Sequence, residues 1–135
     1  MRLVLALLVV LSGCGLYEDG YPDDTDTVIE TLTCPGEPAQ AQSVTYSGMT
    51  LTVAATYGGC EATRIWACWD GDVGNAGAME PFMASISIHH EPAGNCDALF
   101  TSELSFSIEP IVDDWLGYVR LFIGGVTIDW QRNPE

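Results

Sequence analysis

The sequence predicts an all-β fold, an antiparallel two-sheet sandwich of about seven strands stapled by disulfides. Three observations carry that expectation. Apolar and polar residues alternate with a period of two along successive segments from about residue 43 onward. No stretch has the apolar spacing of an amphipathic helix. Hydrophobic residues make up 47% of the chain, enough for a real core despite a formal charge of −15.

Leu32-Thr33-Cys34-Pro35 begins the folded part, and Pro35, Gly36 and Pro38 read as a loop. In the first strand Val44 and Tyr46 alternate with Ser43, Thr45 and Ser47, and Ser47-Gly48 is a turn signal. Leu51, Val53, Ala55 and Tyr57 then alternate with threonines until Gly58-Gly59. Ile65, Ala67 and Trp69 share one face of the next strand, Trp66 and Cys68 the other. Residues 70–81 are a glycine-rich connection. Phe82, Ala84, Ile86 and Ile88 face inward on the strand that ends at His89-His90, and Pro92 and Gly94 mark a turn. Phe100, Leu104, Phe106 and Ile108 define another strand, closed by Glu109-Pro110, and residues 111–115 fit one helical turn. Val119, Leu121 and Ile123, then Val126, Ile128 and Trp130, point inward on two strands joined by Gly124-Gly125, a two-residue hairpin signal. Seven strands in about 100 residues resemble an immunoglobulin-like sandwich in architecture. That family's Cys…Trp…Cys spacing is absent, since Trp66 and Trp69 flank Cys68.

The N-terminus carries a different signal. Met1-Arg2 gives one positive charge, residues 3–11 are uninterrupted apolar, and Ser12-Gly13 precede Cys14. The apolar run is far short of the ~20 residues a membrane span needs and has the plan of an export signal. Leu11-Ser12-Gly13-Cys14 resembles the lipobox of bacterial lipoproteins. The resemblance implies a signal peptide over 1–13, lipidation of Cys14, and a membrane anchor of two or more acyl chains. Gly15 follows Cys14 with no aspartate of the kind that retains enterobacterial lipoproteins at the inner membrane, which favours the outer membrane. Residues 14–30 then comprise the lipidated cysteine and an acidic tether with six acids and no base. Residues 31–135 form the β domain.

With Cys14 assigned to lipid, Cys34, Cys60, Cys68 and Cys96 remain. An even remainder in an exported chain reads as two disulfides. A structural zinc site would want close Cys-x-x-Cys pairs, and the sequence has none. Four cysteines allow three connectivities. If the strands run as a simple meander, Cys60 and Cys96 fall in loops at one end, which favours Cys60–Cys96 with Cys34–Cys68.

Four arginines, no lysine and 19 acids argue against nucleic acid or anionic lipid as a ligand. An envelope protein, a basic ligand or cations suit this charge better. The metal-ligating candidates are Asp70 and Asp72 in the glycine-rich loop, and His90, Glu91 and Asp97 around a later turn. The loop Asp70-Gly71-Asp72-Val73-Gly74-Asn75 fails the EF-hand pattern, because Gly74, Asn75 and Pro81 stand at its fifth, sixth and twelfth positions. His89 and His90 point to opposite strand faces, and His90 shares the parity of Ile86 and Ile88. There is no Gly-x-Ser-x-Gly elbow, and Asp113-Asp114 are adjacent and divergent, so no catalytic constellation emerges. Tyr118, Arg120 and Phe122 share an outward face and form a candidate aromatic patch.

Gly58-Gly59-Cys60, Cys68-Trp69-Asp70-Gly71, His90-Glu91 and Cys96-Asp97 together resemble a pattern of small uncharacterised Gram-negative lipoproteins. The resemblance spans roughly residues 50–108 and implies an extracytoplasmic β domain without an assigned activity. The sequence departs from it at Thr63, where the pattern has histidine. The expectation is a non-enzymatic, membrane-anchored binding or structural module of the cell envelope, with no cofactor. The alternative is a module that binds calcium or another metal through its loop carboxylates and His90.

Overall fold

In the computed structural model, which describes residues 21–22, 25–75, 81–112 and 116–133, the chain forms nine strands. They are β1 (Ile29–Glu30), β2 (Glu37–Ser47), β3 (Thr50–Gly59), β4 (Ile65–Trp69), β5 (Gly74–Asn75), β6 (Phe82–His90), β7 (Ala98–Ser107), β8 (Tyr118–Ile123) and β9 (Val126–Gln131). Among the described residues there is no helix. The expected signal peptide over 1–13 and Cys14 lie outside them, as do Asp113-Asp114 and most of the expected helical turn.

The hub is β6, which is paired along both edges. On one edge β4 pairs with its second half, Ile65 opposite His90 and Trp69 opposite Ile86, and β5 pairs with Phe82 and Met83. On the other edge β2 takes residues 88–90 antiparallel, while β8 takes residues 82–86 in parallel. The tip of the β8–β9 hairpin sits where those two partners meet, with Ala41 N–H donating to the Gly124 carbonyl and Gly124 N–H to the Ile86 carbonyl. Gly124 and Gly125 have φ of 52° and 98°, the two positive values a type I′ hairpin turn requires.

Strand β2 carries the chain from this group to the next. Its first residues pair with β6, and from Gln40 onward it pairs with β3, which pairs along its whole length with β7. The register slips between Ala41 and Ser43, a β-bulge at Gln42. One extra residue flips parity, so Ala39 and Ala41 are buried before the bulge, whereas Val44 and Tyr46 face the core after it. The expected pair of separate antiparallel sheets is thereby corrected. The strands form one mixed sheet in the order β1-β4-β6-β2-β3-β7, curled into a half-barrel, with β8 and β9 branching from β6. The meander fails too, since β3 pairs with β7 and not with β4.

The ends of that sheet are joined by the chain's own N-terminal segment. Thr27 bridges Ser107 of β7 in parallel, Ser107 N–H donates to the Asp26 carbonyl, and Val28 N–H donates to the Ser107 carbonyl. Two residues later Ile29 and Glu30 pair in parallel with Cys68 and Trp69 of β4, and Thr31 N–H donates to the Trp69 carbonyl. Val28 is 3% exposed. The folded part therefore begins upstream of residue 31, inside the acidic stretch.

Inside the curl, Leu51, Val53, Ala55 and Tyr57 of β3 meet Ala84, Ile86 and Ile88 of β6, Leu104 and Phe106 of β7, and Val119, Leu121 and Ile123 of β8. Each buried Leu, Ile, Val or Phe stabilises the fold by about 1.5–3 kcal/mol relative to exposure. Strand β4 is buried on both faces. Ile65, Ala67 and Trp69 join the core. On its outer face Trp66 donates its Nε1–H to the Pro35 carbonyl (3.2 Å), and Cys68 is disulfide-bonded to Cys34, so residues 34–36 form a lid over it. The second disulfide, Cys60–Cys96, joins the turns after β3 and before β7.

Candidate functional site

The sequence placed its densest chemistry around His90, and the fold builds a polar corner there. Inward parity on β6 buries the ring to 2% exposure, where it stacks on Tyr57 of β3 with centroids 4.3 Å apart. Nδ1 lies 2.6 Å from the Glu91 carbonyl. A carbonyl only accepts, so Nδ1 carries the proton in that bond. Nε2 faces Glu37 Oε2 across 3.8 Å, beyond hydrogen-bond range. The two residues are register partners in the β2–β6 pairing.

The same Glu91 carbonyl accepts from the Thr63 hydroxyl at 3.0 Å. Thr63 is in turn held by Tyr57, whose phenolic oxygen accepts the Thr63 N–H (3.0 Å) and lies 3.2 Å from the Thr63 carbonyl and 3.0 Å from Ser102 Oγ. The Glu91 carboxylate turns away from the histidine and pairs with Arg64, receiving its Nε–H and Nη2–H on one oxygen. No buried side-chain nitrogen or oxygen among the described residues lacks a partner. The corner thus joins β3, the connection that leads into β4, the end of β6 and β7 through satisfied hydrogen bonds, which rigidify a core when complete.

Of the metal-ligating candidates, the fold brings together only sequence neighbours. Asp70 and Asp72 lie beyond the Trp69 end of β4, while His90 and Glu91 lie at its Ile65 end. Asp70 Oδ1 accepts the Asp72 N–H at 2.9 Å, a local turn, and the Asp72 carbonyl accepts the Trp69 indole at 2.8 Å. Asp97 is exposed beside Cys96. Among the described residues no three His, Cys, Asp or Glu side chains gather as a metal site would need. His89, on the opposite face of β6 from His90, is half-buried.

The outward patch of Tyr118, Arg120 and Phe122 is present in part. Phe122 is 39% exposed. Arg120 is engaged by Asp129 of β9, with Nε–H to Oδ1 at 2.8 Å. That hydrogen bond holds the Asp129 carboxyl below its ordinary range and raises the guanidinium. A shallow cavity of about 230 Å³ lies on the other side of the face, lined by Leu32, the Cys34–Cys68 bridge, Ser85 and Ser87. A second, of about 370 Å³, opens between β4 and β7 beside Thr25, Arg64 and Glu103.

Parity identifies His90, and Glu91 is its neighbour in sequence, but the link to Tyr57, Thr63 and Ser102 is not legible from spacing. Tyr57 had a readable signal, since it shares the inward parity of Leu51, Val53 and Ala55. Thr63 and Ser102 are placed by tertiary pairing alone.

Compared with known proteins, the chain matches no family model, no curated protein and no solved structure.

Proposed function

We propose that the protein is a membrane-anchored extracytoplasmic lipoprotein, lipidated at Cys14 and sorted to the outer membrane, whose β domain serves as a binding or structural module of the cell envelope. The observation that carries this reading is the Leu11-Ser12-Gly13-Cys14 motif at the end of a short apolar run. It gains support from the cysteines. The other four are joined in two disulfides, which leaves Cys14 as the thiol without a structural assignment. Such disulfides persist in oxidising compartments outside the cytosol. Among the described residues no helix is long and apolar enough to cross a membrane.

The test is Cys14→Ser in cells, followed by detergent phase partition. Wild type should enter the detergent phase, and the variant should stay in the aqueous phase or retain its leader. Unchanged partition of the variant defeats the anchor.

A further inference from the structure

We infer that lipid on Cys14 holds this domain close against the bilayer with the Trp66–Arg64 end facing the headgroups, and does not display it on a long tether. The inference rests on the lipoprotein reading and adds a height and an orientation to it.

The acidic stretch over 15–30 has the composition of a spacer, but its described residues are bound to the domain. The Tyr21 ring lies against Trp66 with centroids 5.3 Å apart. The Pro22 carbonyl accepts from Arg64 Nη1 at 3.3 Å. Farther on, Thr27 bridges β7, Val28 is in the core, and Ile29 and Glu30 pair with β4. The segment thus leaves the seam between β4 and β7 and reaches the Trp66 end by Tyr21. Only six residues, 15–20, separate Cys14 from that point. Fully extended, the steps from Cys14 to Tyr21 span at most about 25 Å. A folded domain of about 100 residues has a radius of gyration near 13 Å, so this reach is shorter than the domain is wide.

Orientation follows from where the segment docks. Trp66 pairs with His89, and Arg64 binds Glu91, at the end of the sheet that also holds Tyr57 and the Cys60–Cys96 bridge. The β2–β3 hairpin at Gly48-Met49 is at the far end of β3, whose ten residues extend for about 30 Å. The headgroup surface therefore meets the end containing Glu61 and Ala62, and the Gly48 hairpin points away from it.

The experiment uses the full lipidated chain, reconstituted in phosphatidylcholine vesicles that carry an acceptor dye on a fraction of the headgroups. A genetically encoded fluorescent residue replaces Ala62 or Ser47, both exposed, leaving the disulfides untouched. Energy transfer from position 62 should exceed that from position 47 by about twofold or more, given the ~30 Å between the two ends. Inserting about fifteen Gly-Ser residues between Gly20 and Tyr21 should lower the transfer from 62 and erase the difference. Equal transfer from both positions in the uninserted chain overturns the inference while leaving the anchor intact. Failure of the protein to float with the vesicles overturns the anchor itself, and the inference with it.

Discussion

The indole of Trp130 donates its Nε1–H to the carbonyl of Gly48, 82 residues away in sequence and 2.7 Å away in space. Trp130 is fully buried on β9, and Gly48 opens the turn between β2 and β3. One side chain therefore fills the core and ties the branch β8–β9 to the far end of the curled sheet. Trp130→Phe should destabilise the domain by roughly 2–3 kcal/mol, combining lost volume with a carbonyl left without its donor. A thermal melt should show a fall of at least roughly 8 °C. A smaller fall would mean that the hairpin repacks around the phenyl ring.

The two disulfides offer a controlled comparison. They close loops of nearly equal length, 34 and 36 residues apart, so the chain-entropy contribution is about 4 kcal/mol for each. Their surroundings differ. Cys68 is 3% exposed and its bridge holds the lid over Trp66, whereas Cys60 and Cys96 are both exposed. Replacing Cys34 and Cys68 together by Ala should therefore cost more than replacing Cys60 and Cys96. Urea denaturation of the two double variants checks the order, and equal midpoints would show that the lid adds no packing energy.

Much of the architecture is legible in the sequence wherever a strand has one wet face. Leu51 to Tyr57, Phe82 to Ile88, Val119 to Ile123 and Val126 to Trp130 all alternate, and their inward members face the core. Legibility fails where a local pattern meets a non-local cause. The start of β2 reads as a loop because of Pro35, Gly36 and Pro38, and the bulge at Gln42 then breaks its alternation. In β1 two residues pair inside an acidic run whose composition favours solvent. The parallel β6–β8 pairing has no counterpart in period or composition, since a strand's period reports its faces and never its partner. The disulfides are instructive in another way. The bridges in the fold are Cys34–Cys68 and Cys60–Cys96, the pairing a meander favours, although the fold is no meander and β3 pairs with β7. At the candidate site, parity placed His90 inward, but the shared Glu91 carbonyl that links it to Thr63 depends on two loops meeting.

Acid should weaken the β8–β9 pair in a defined window. Asp129 is held below its ordinary value of 3.8 by its hydrogen bond to Arg120. A carboxyl whose folded value is depressed stabilises the fold above its unfolded value, and the contribution is lost as pH falls through the folded value. Asp129→Asn should therefore lower stability slightly at pH above about 4, remove the small further fall that the wild type shows on acidification below it, and leave the pH dependence above pH 5 unaltered. The pair is exposed, so salt should shrink the effect. Melts of both proteins between pH 2.5 and 6, at low and high salt, would test this. Parallel profiles at low salt would count against it.

Metal ions should leave the melting temperature unchanged. Asp70 and Asp72 are at the opposite end of β4 from His90 and Glu91, and the Glu91 carboxylate is already bound to Arg64. A ligand that favours the folded state raises the melting temperature in proportion to the logarithm of its concentration over its dissociation constant. Coincident melts in EDTA, calcium and zinc are expected. A rise that continues with the logarithm of one ion's concentration would revive a site at the loop carboxylates.

Two glycines separate backbone strain from crowding. Gly36 and Gly48 both have positive φ, 86° and 59°, so a side chain at either position bears the left-handed penalty of roughly 1–2 kcal/mol. Around Gly48 a Cβ would meet nothing within 4 Å. At Gly36 it would lie 2.7 Å from the Trp66 ring and still closer to the His90 carbonyl, beneath the Cys34–Cys68 lid. Gly48→Ala should then cost only the backbone penalty, while Gly36→Ala adds overpacking of roughly 1–3 kcal/mol more. The excess should appear also as a red shift of tryptophan emission, as Trp66 is pushed from beneath its cover. Equal destabilisation by the two substitutions, with unshifted emission, would show that the lid yields without cost and that Trp66 does not depend on close contact with Gly36.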